Sequence, residues 1–196
     1  MPYWSWVQCL SCQHQRPPRS HHCPLCKACI LKRDHHCFFS GVCIAANNQR
    51  FFLAFLFWTV PLTIIGVVHI LPHAYYTVLP EHDANLYHLL IPPYTLVLAI
   101  FGYSSYAIPV YSAILCSLIF FLIFGITHFS GWVYKLVSNR TGFEQENGIK
   151  LTDTRPVNER LKAALGNRWW IGILIPCNHS SMKPSEDSIL WPSIKP

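Results

Sequence analysis

From Phe51 to Tyr134 the chain carries no lysine or arginine, while Arg50, Lys135 and Arg140 stand just outside the two edges of that stretch. A bilayer explains the exclusion, since a cation at the centre of a spanning helix costs about 3 kcal/mol on insertion scales. Within the stretch, Phe52 to Leu71 reads FLAFLFWTVPLTIIGVVHIL and Ile108 to Phe129 reads IPVYSAILCSLIFFLIFGITHF. Each supplies the roughly twenty apolar residues that cross about 30 Å of hydrocarbon, and Pro61 is tolerated in such a helix. Leu89 to Tyr103 is weaker and broken by Pro92 and Pro93. Cationic flanks on both sides face the cytoplasm, which requires an even number of crossings, so this segment is expected to be lumenal, re-entrant or interfacial.

Composition agrees with a membrane chain. Of 196 residues 52% are hydrophobic and 14% aromatic, and the mean hydropathy is positive, which argues against an ordinary soluble domain. Three regions follow: a cysteine- and histidine-rich head, 1–50; the apolar middle, 51–134; and a polar tail, 135–196. The head holds Arg16, Arg19, Lys27, Lys32, Arg33 and Arg50 against one acid, Asp34. It would attract nucleic acid, lipid head groups or the phosphates of a nucleotide-like cofactor, and charge alone does not choose. Met1 to Gln8 lack the basic start and apolar run of a cleavable signal, so the head is expected to stay in the reducing cytosol.

Seven of the nine cysteines lie between Cys9 and Cys43, interleaved with His14, His21, His22, His35 and His36. The order is Cys9-x2-Cys12, His22-Cys23, Cys26, Cys29, Asp34-His35-His36-Cys37 and Cys43. Paired thiols clamp a tetrahedral ion from a tight turn and a distant Cys/His pair completes its sphere, so there are ligands for two zinc ions. A nucleic-acid-reading finger is argued against, because no cysteine pair is followed about twelve residues later by H-x3-5-H. The chain is read without internal repeats.

Asp34-His35-His36-Cys37 precedes the first apolar span by only fourteen residues, which puts a thiol near the membrane surface. A neighbouring imidazole can take a thiol's proton and a carboxylate can orient the imidazole, so three of these residues suffice for a nucleophile, a base and its partner. Taken alone, the same string is more often metal-binding than catalytic.

Cys9 through Phe52 closely resembles the cysteine-rich domain of the DHHC family of protein S-acyltransferases. The runs PPRSHHC and CILKRDHHC, and Cys43 followed by Asn48-x2-Phe51-Phe52, fall where that family has its counterparts. The resemblance implies an α-helical integral membrane protein with a small zinc-stapled cytosolic cysteine-rich domain. It implies one structural zinc on Cys9, Cys12, His22 and Cys29 and another on Cys23, Cys26, His36 and Cys43. Cys37 would then be the nucleophile, His35 the general base and Asp34 its orienting partner. The implied activity moves a fatty acyl group, such as palmitate, from acyl-coenzyme A to cysteines of proteins near the cytosolic membrane face. Arg19 and His21 would meet the coenzyme A phosphates. An endoplasmic reticulum or Golgi membrane, with both termini cytosolic, is expected.

Beyond the spans, Thr141-Gly142-Phe143-Glu144 resembles the family's Thr-Thr-x-Glu motif, and Asn158 with Leu165 to Trp169 resembles its C-terminal segment. Three departures stand beside the match. The two spans that family members place before the cysteine-rich domain do not precede Cys9, so the chain is read as a truncated form. Phe38-Phe39 replaces the usual Pro-Trp, and Gly142 replaces a threonine whose hydroxyl would reach the active-site carboxylate. These departures favour a rival, a catalytically silent zinc-stapled membrane adaptor; the intact Asp34, His35 and Cys37 oppose it.

In the tail, Val157 to Leu165 has a helical pattern, with Val157, Leu161, Ala164 and Leu165 on one face and Gly166 placed to end it. Trp169 to Ile175 reads as an interfacial anchor, completing a segment at 157–176. His69, Cys116 and His128 are expected to face into the bundle, and Cys177 is read as an unreactive thiol in a loosely ordered end.

Overall fold

The computed structural model describes residues 6–150, 152–175 and 194–195, so the end of the tail, Cys177 included, lies outside the described residues. The head folds as three antiparallel hairpins: β1 (Val7–Cys9) with β2 (His14–Arg16), β3 (Ser20–Cys23) with β4 (Ala28–Leu31), and β5 (His35–Cys37) with β6 (Val42–Ile44). Strands of three or four residues bury too little to stand alone. Their order comes from tight turns and from the Cys and His side chains that the turns bring together.

The three hairpins are copies of one plan, a correction to the reading of the chain as free of repeats. Cys9 faces His14, Cys23 faces Ala28 and Cys37 faces Val42, the same offset each time. Before each return strand one residue takes positive φ: Gln13 at 55°, Lys27 at 52° and Gly41 at 67°. In sequence, SHHCPLCKACI from Ser20 lies over DHHCFFSGVCI from Asp34 at a spacing of fourteen residues. The third copy has Ser40 where the others have Cys26 and Cys12, which hides the repeat from a scan for cysteine pairs.

Helix α1 begins at Gln49 and runs to His73, and through a π-helical turn at Ala74–Val78 the helical run reaches Glu81. A short helix α2 (Pro92–Ile100) and the 32-residue α3 (Ala107–Ser138) follow. Gln49–Glu81 and Ala107–Ser138 are long and apolar enough to cross a membrane. The weak apolar stretch forms only the nine-residue α2, opened by Pro92 and Pro93 where a missing N–H costs nothing. The tail adds α4 (Gly142–Glu146), α5 (Val157–Leu165) and α6 (Trp169–Leu174).

By contacts the chain divides into two units. Leu56–Phe129 is one. Within it Ala74, Val78, Leu79, Leu89, Ile108 and Leu115 form a buried cluster. The long helices approach at glycines: a Cβ on Gly66 would lie 2.8 Å from Leu118 Cδ2, and one on Gly125 would lie 3.1 Å from Val60 Cγ2. Small residues allow such approach where lipid gives no hydrophobic drive. His69 and His128 are exposed, not turned into the bundle. Each Nδ1 pairs with its own helix one turn back, at Ile65 O (2.8 Å) and Phe124 O (3.0 Å). Cys116 is half-buried against the carbonyls of Leu89 and Leu90.

The other unit joins residues up to Phe55 to those from Ser130 onward. In it α5 turns Ala163, Ala164 and Leu165 inward, while Val157 is exposed, so the buried face differs from the expected one. Gly166 ends the helix at φ 97°, a backbone angle that a side chain disfavours. Gln49 Nε2 donates to Ala164 O at 3.1 Å, tying this helix to the start of α1.

Candidate metal centres and active site

The hairpin plan brings together two groups of side chains that could hold a metal ion. Each turn points two donors the same way, and the next hairpin supplies a histidine and a cysteine that face each other across its strands: His22 opposite Cys29, and His36 opposite Cys43. The donor atoms of Cys9, Cys12, His22 and Cys29 lie within 4.8 Å of one another, as do those of Cys23, Cys26, His36 and Cys43. Cys12 Sγ is 3.2 Å from His22 Nδ1; Cys26 Sγ is 3.3 Å from His36 Nδ1 and 3.6 Å from Cys43 Sγ. A tetrahedral zinc with bonds of about 2.3 Å has edges of about 3.7 Å, so three thiols and an imidazole fit the ion at each cluster. Both sets are those the family resemblance implied. His14 is exposed and belongs to neither.

Continuing the plan, Cys37 and Ser40 hold the turn positions of a third such clamp, but no hairpin follows to close it; the chain enters α1 instead. Cys37 is buried at the mouth of an apolar groove of about 320 Å³ whose walls include Phe39, Val42, Ile44, Phe51, Phe52 and Phe55. Burial pushes its thiol up, but hydrogen bonds from the Ser40 side chain and backbone, His35 and the Phe39 backbone outweigh this and hold it below the usual value.

Asp34 is buried, and its carboxylate accepts three hydrogen bonds: from His35 Nδ1 at 2.8 Å, from Lys135 Nζ at 2.8 Å, and from the backbone N–H of Gly142. Burial would raise its pKa, but these donors keep it lowered, so it is an anion. The Asp34 bond, set against burial, raises His35. Since Nδ1 is engaged, Nε2 is the ring nitrogen left to act on Cys37. Phe52 and Trp132 stand edge-on to the His35 ring at 5.6 and 6.5 Å. The hydrogen-bonded Asp34–His35 pair thus stands with Cys37 at an apolar groove, and His35 is among the groups that hold the thiol below its usual value.

Three of the four residues of the tail motif, Gly142, Phe143 and Glu144, contact the head, and Thr141 shapes the turn that presents them. Thr141 caps α4 in a reciprocal box with Glu144. Gly142 N–H reaches the Asp34 side chain, and Phe143 N–H donates to Asp34 O at 3.0 Å. Phe143 stacks on His21 at 4.0 Å and lies under the Arg33 guanidinium at 5.3 Å. Glu144 takes Arg19 Nε at 2.7 Å and Nη2 at 2.8 Å.

Arg19 and His21, expected to meet coenzyme A phosphates, therefore sit in the interior at 1% and 7% exposure. Burial, with Arg16 next, pushes His21 down to about 4, so its ring is neutral at pH 7. The structure sets both against the tail motif, Arg19 on Glu144 and His21 on Phe143. Sequence reading also passed over Ser40 and Lys135. Ser40 could have been found by aligning the hairpins; Lys135, 101 residues from Asp34, gave no signal beyond flanking a span.

Residues 5–149 match the family model described as DHHC palmitoyltransferase. The chain is similar to Palmitoyltransferase ZDHHC3 of Rattus norvegicus, 28% identical over 174 residues, covering 86% of this chain and 52% of that protein. Probable palmitoyltransferase ZDHHC24 of Homo sapiens is 34% identical over 181 residues, covering 87% and 59% respectively. Probable protein S-acyltransferase 12 of Arabidopsis thaliana is 47% identical over 64 residues, covering 33% and 22%. The chain spans about half the length of the curated relatives that it matches along most of its own.

Proposed function

Because the chain belongs to the DHHC palmitoyltransferase family, we propose that it is the core of a protein S-acyltransferase that carries a fatty acyl group on Cys37. The observation that carries this reading is the hydrogen-bonded Asp34–His35 pair beside Cys37, a thiol held below its usual value in the wall of an apolar groove. In the first half-reaction His35 Nε2 takes the Cys37 proton and the thiolate attacks the acyl-coenzyme A carbonyl carbon. A new carbon–sulfur bond forms, the bond to coenzyme A breaks, and the departing thiolate takes the proton back from His35. In the second, His35 deprotonates a substrate cysteine, which attacks the acyl-enzyme and frees Cys37. Asp34 holds the His35 tautomer and stabilises its cation throughout.

Cys9, Cys12, His22 and Cys29 would hold one zinc, and Cys23, Cys26, His36 and Cys43 the other. Zinc would supply folding free energy to hairpins too small to order themselves. The groove beside Cys37 would take the part of the acyl chain next to the thioester. Protein cysteines at the cytosolic face of an endoplasmic reticulum or Golgi membrane would be the acceptors. Supporting that topology are the cationic flanks at Arg50 and Lys135. The test is release of coenzyme A from palmitoyl-coenzyme A by the intact protein in micelles, with transfer to a cysteine peptide. Absence of release and transfer overturns the reading.

A further inference from the structure

We propose that Lys135 is a positioning residue of the active site, coupled to the absence of a side chain at Gly142; the proposal rests on the acyltransferase reading. As a flanking charge of a membrane span, Lys135 should point to solvent or head groups. Instead its ammonium reaches the buried Asp34 at 2.8 Å, and its side chain is 22% exposed. The same ammonium lies over Trp132, one helical turn away, at 5.2 Å from the ring centroid. Trp132 in turn is edge-on to His35. Lys135 is thus held by the two groups that border the imidazole, its acid and its ring neighbour.

Gly142 makes the arrangement possible. A Cβ at this position would lie 2.9 Å from Lys135 Nζ and 3.2 Å from each Asp34 carboxylate oxygen. The ammonium therefore fills the place that a side chain at 142 would occupy, and it donates to the oxygen, Oδ2, that also receives His35 Nδ1. Gly142 gives its backbone N–H to Oδ1. With both oxygens fixed, the carboxylate cannot rotate away from the imidazole. A buried carboxylate also needs a cation or several donors, and here Lys135 is the cation. The hydroxyl that Gly142 cannot offer is thus replaced from a different element of the chain.

Four proteins test this: wild type, Lys135→Met, Gly142→Ala and the double variant Lys135→Met/Gly142→Ser. The rate of acyl-enzyme formation and the palmitoyl-coenzyme A concentration that half-saturates it are measured together, with zinc content as the folding control. Lys135→Met should slow formation roughly ten- to hundredfold, the range of one charge-assisted hydrogen bond, with half-saturation unchanged. Gly142→Ala keeps the backbone donor and the lysine, adds only a methyl against Nζ, and should also slow it. In the double variant a serine hydroxyl occupies the vacated space and donates to Asp34, so the rate should recover most of the loss.

Alkylation of Cys37 by iodoacetamide needs no acyl-coenzyme A and should follow the same order. It separates failure of this proposal from failure of the acyltransferase reading. A zinc-loaded Gly142→Ala that alkylates and acylates at the wild-type rate overturns the proposal, even if Lys135→Met does not fold. So does a double variant no faster than the slower single one.

Discussion

Cys37 holds in its hairpin the place that Cys23 holds fourteen residues earlier, yet Cys23 lies among four metal-type donors and Cys37 does not. Two differences set them apart: the residue three further on is Cys26 in one and Ser40 in the other, and a hairpin that supplies His36 and Cys43 follows only the first. A turn shaped to present thiolates to a metal thus presents a single thiol to the groove. Backbone N–H groups that favour sulfur's anion in a metal knuckle are retained: Cys26 N–H donates to Cys23 Sγ at 3.5 Å, and the Phe39 and Ser40 backbones act on Cys37 in the same way.

The Ser40 side chain helps hold the Cys37 thiol below its usual value, as the Cys26 and Cys12 side chains do for Cys23 and Cys9 in the other turns. Ser40→Ala should slow acyl-enzyme formation about tenfold, the value of one hydrogen bond to a charged group, while zinc stays bound. A time course of labelling by an acyl-coenzyme A analogue measures it. An unchanged rate would remove Ser40 from the mechanism.

Two zinc ions should be found per chain by metal analysis of the purified protein. Cys12→Ala should lose the first site and unfold the head, since a bound ion would order β1 and β2 against β3 and β4. Folded wild type holding one zinc or none would reject the two-site assignment.

Arg19 and Glu144 are fully buried and paired through two hydrogen bonds, and breaking such a pair leaves an uncompensated charge. Arg19→Ala should cost about 3–5 kcal/mol of stability, whereas Arg19→Leu with Glu144→Leu should cost less. The midpoint of thermal aggregation in detergent ranks the three proteins. A single variant as stable as wild type would contradict the buried geometry.

For topology, a tag before Cys9 and one after Pro196 should be digested in intact microsomes, and one at Glu81 protected until detergent is added. Digestion of the Glu81 tag without detergent would rule out two crossings.

The long helices were legible because hydrocarbon imposes a length and a composition on any segment that crosses it. Turn-spaced thiol pairs made ligands for two ions legible, but which cysteines and histidines would share an ion was implied only by the family resemblance. Less legible was anything that depends on the tail returning to the head. Arg19 looks like a surface cation until Glu144, 125 residues on, buries it, and Lys135 looks like a membrane flank until Asp34 claims it. The α5 helix shows the same limit at short range: its pattern gave the helix, but Val157 is exposed because the helix buries the end near Ala163 to Leu165. The hairpin repeat was obscured by two substitutions, Ser40 and Gly41, that leave the backbone plan intact.

The most direct test of the account is to locate the acyl group. The intact protein, loaded with zinc, is incubated briefly with palmitoyl-coenzyme A, digested, and its peptides are read by tandem mass spectrometry with and without hydroxylamine. The account predicts a hydroxylamine-labile palmitoyl adduct on Cys37 that disappears in Cys37→Ser while zinc content stays at the wild-type value. A folded protein with both zinc ions bound and no acyl group on Cys37 would contradict it and leave a zinc-stapled membrane adaptor.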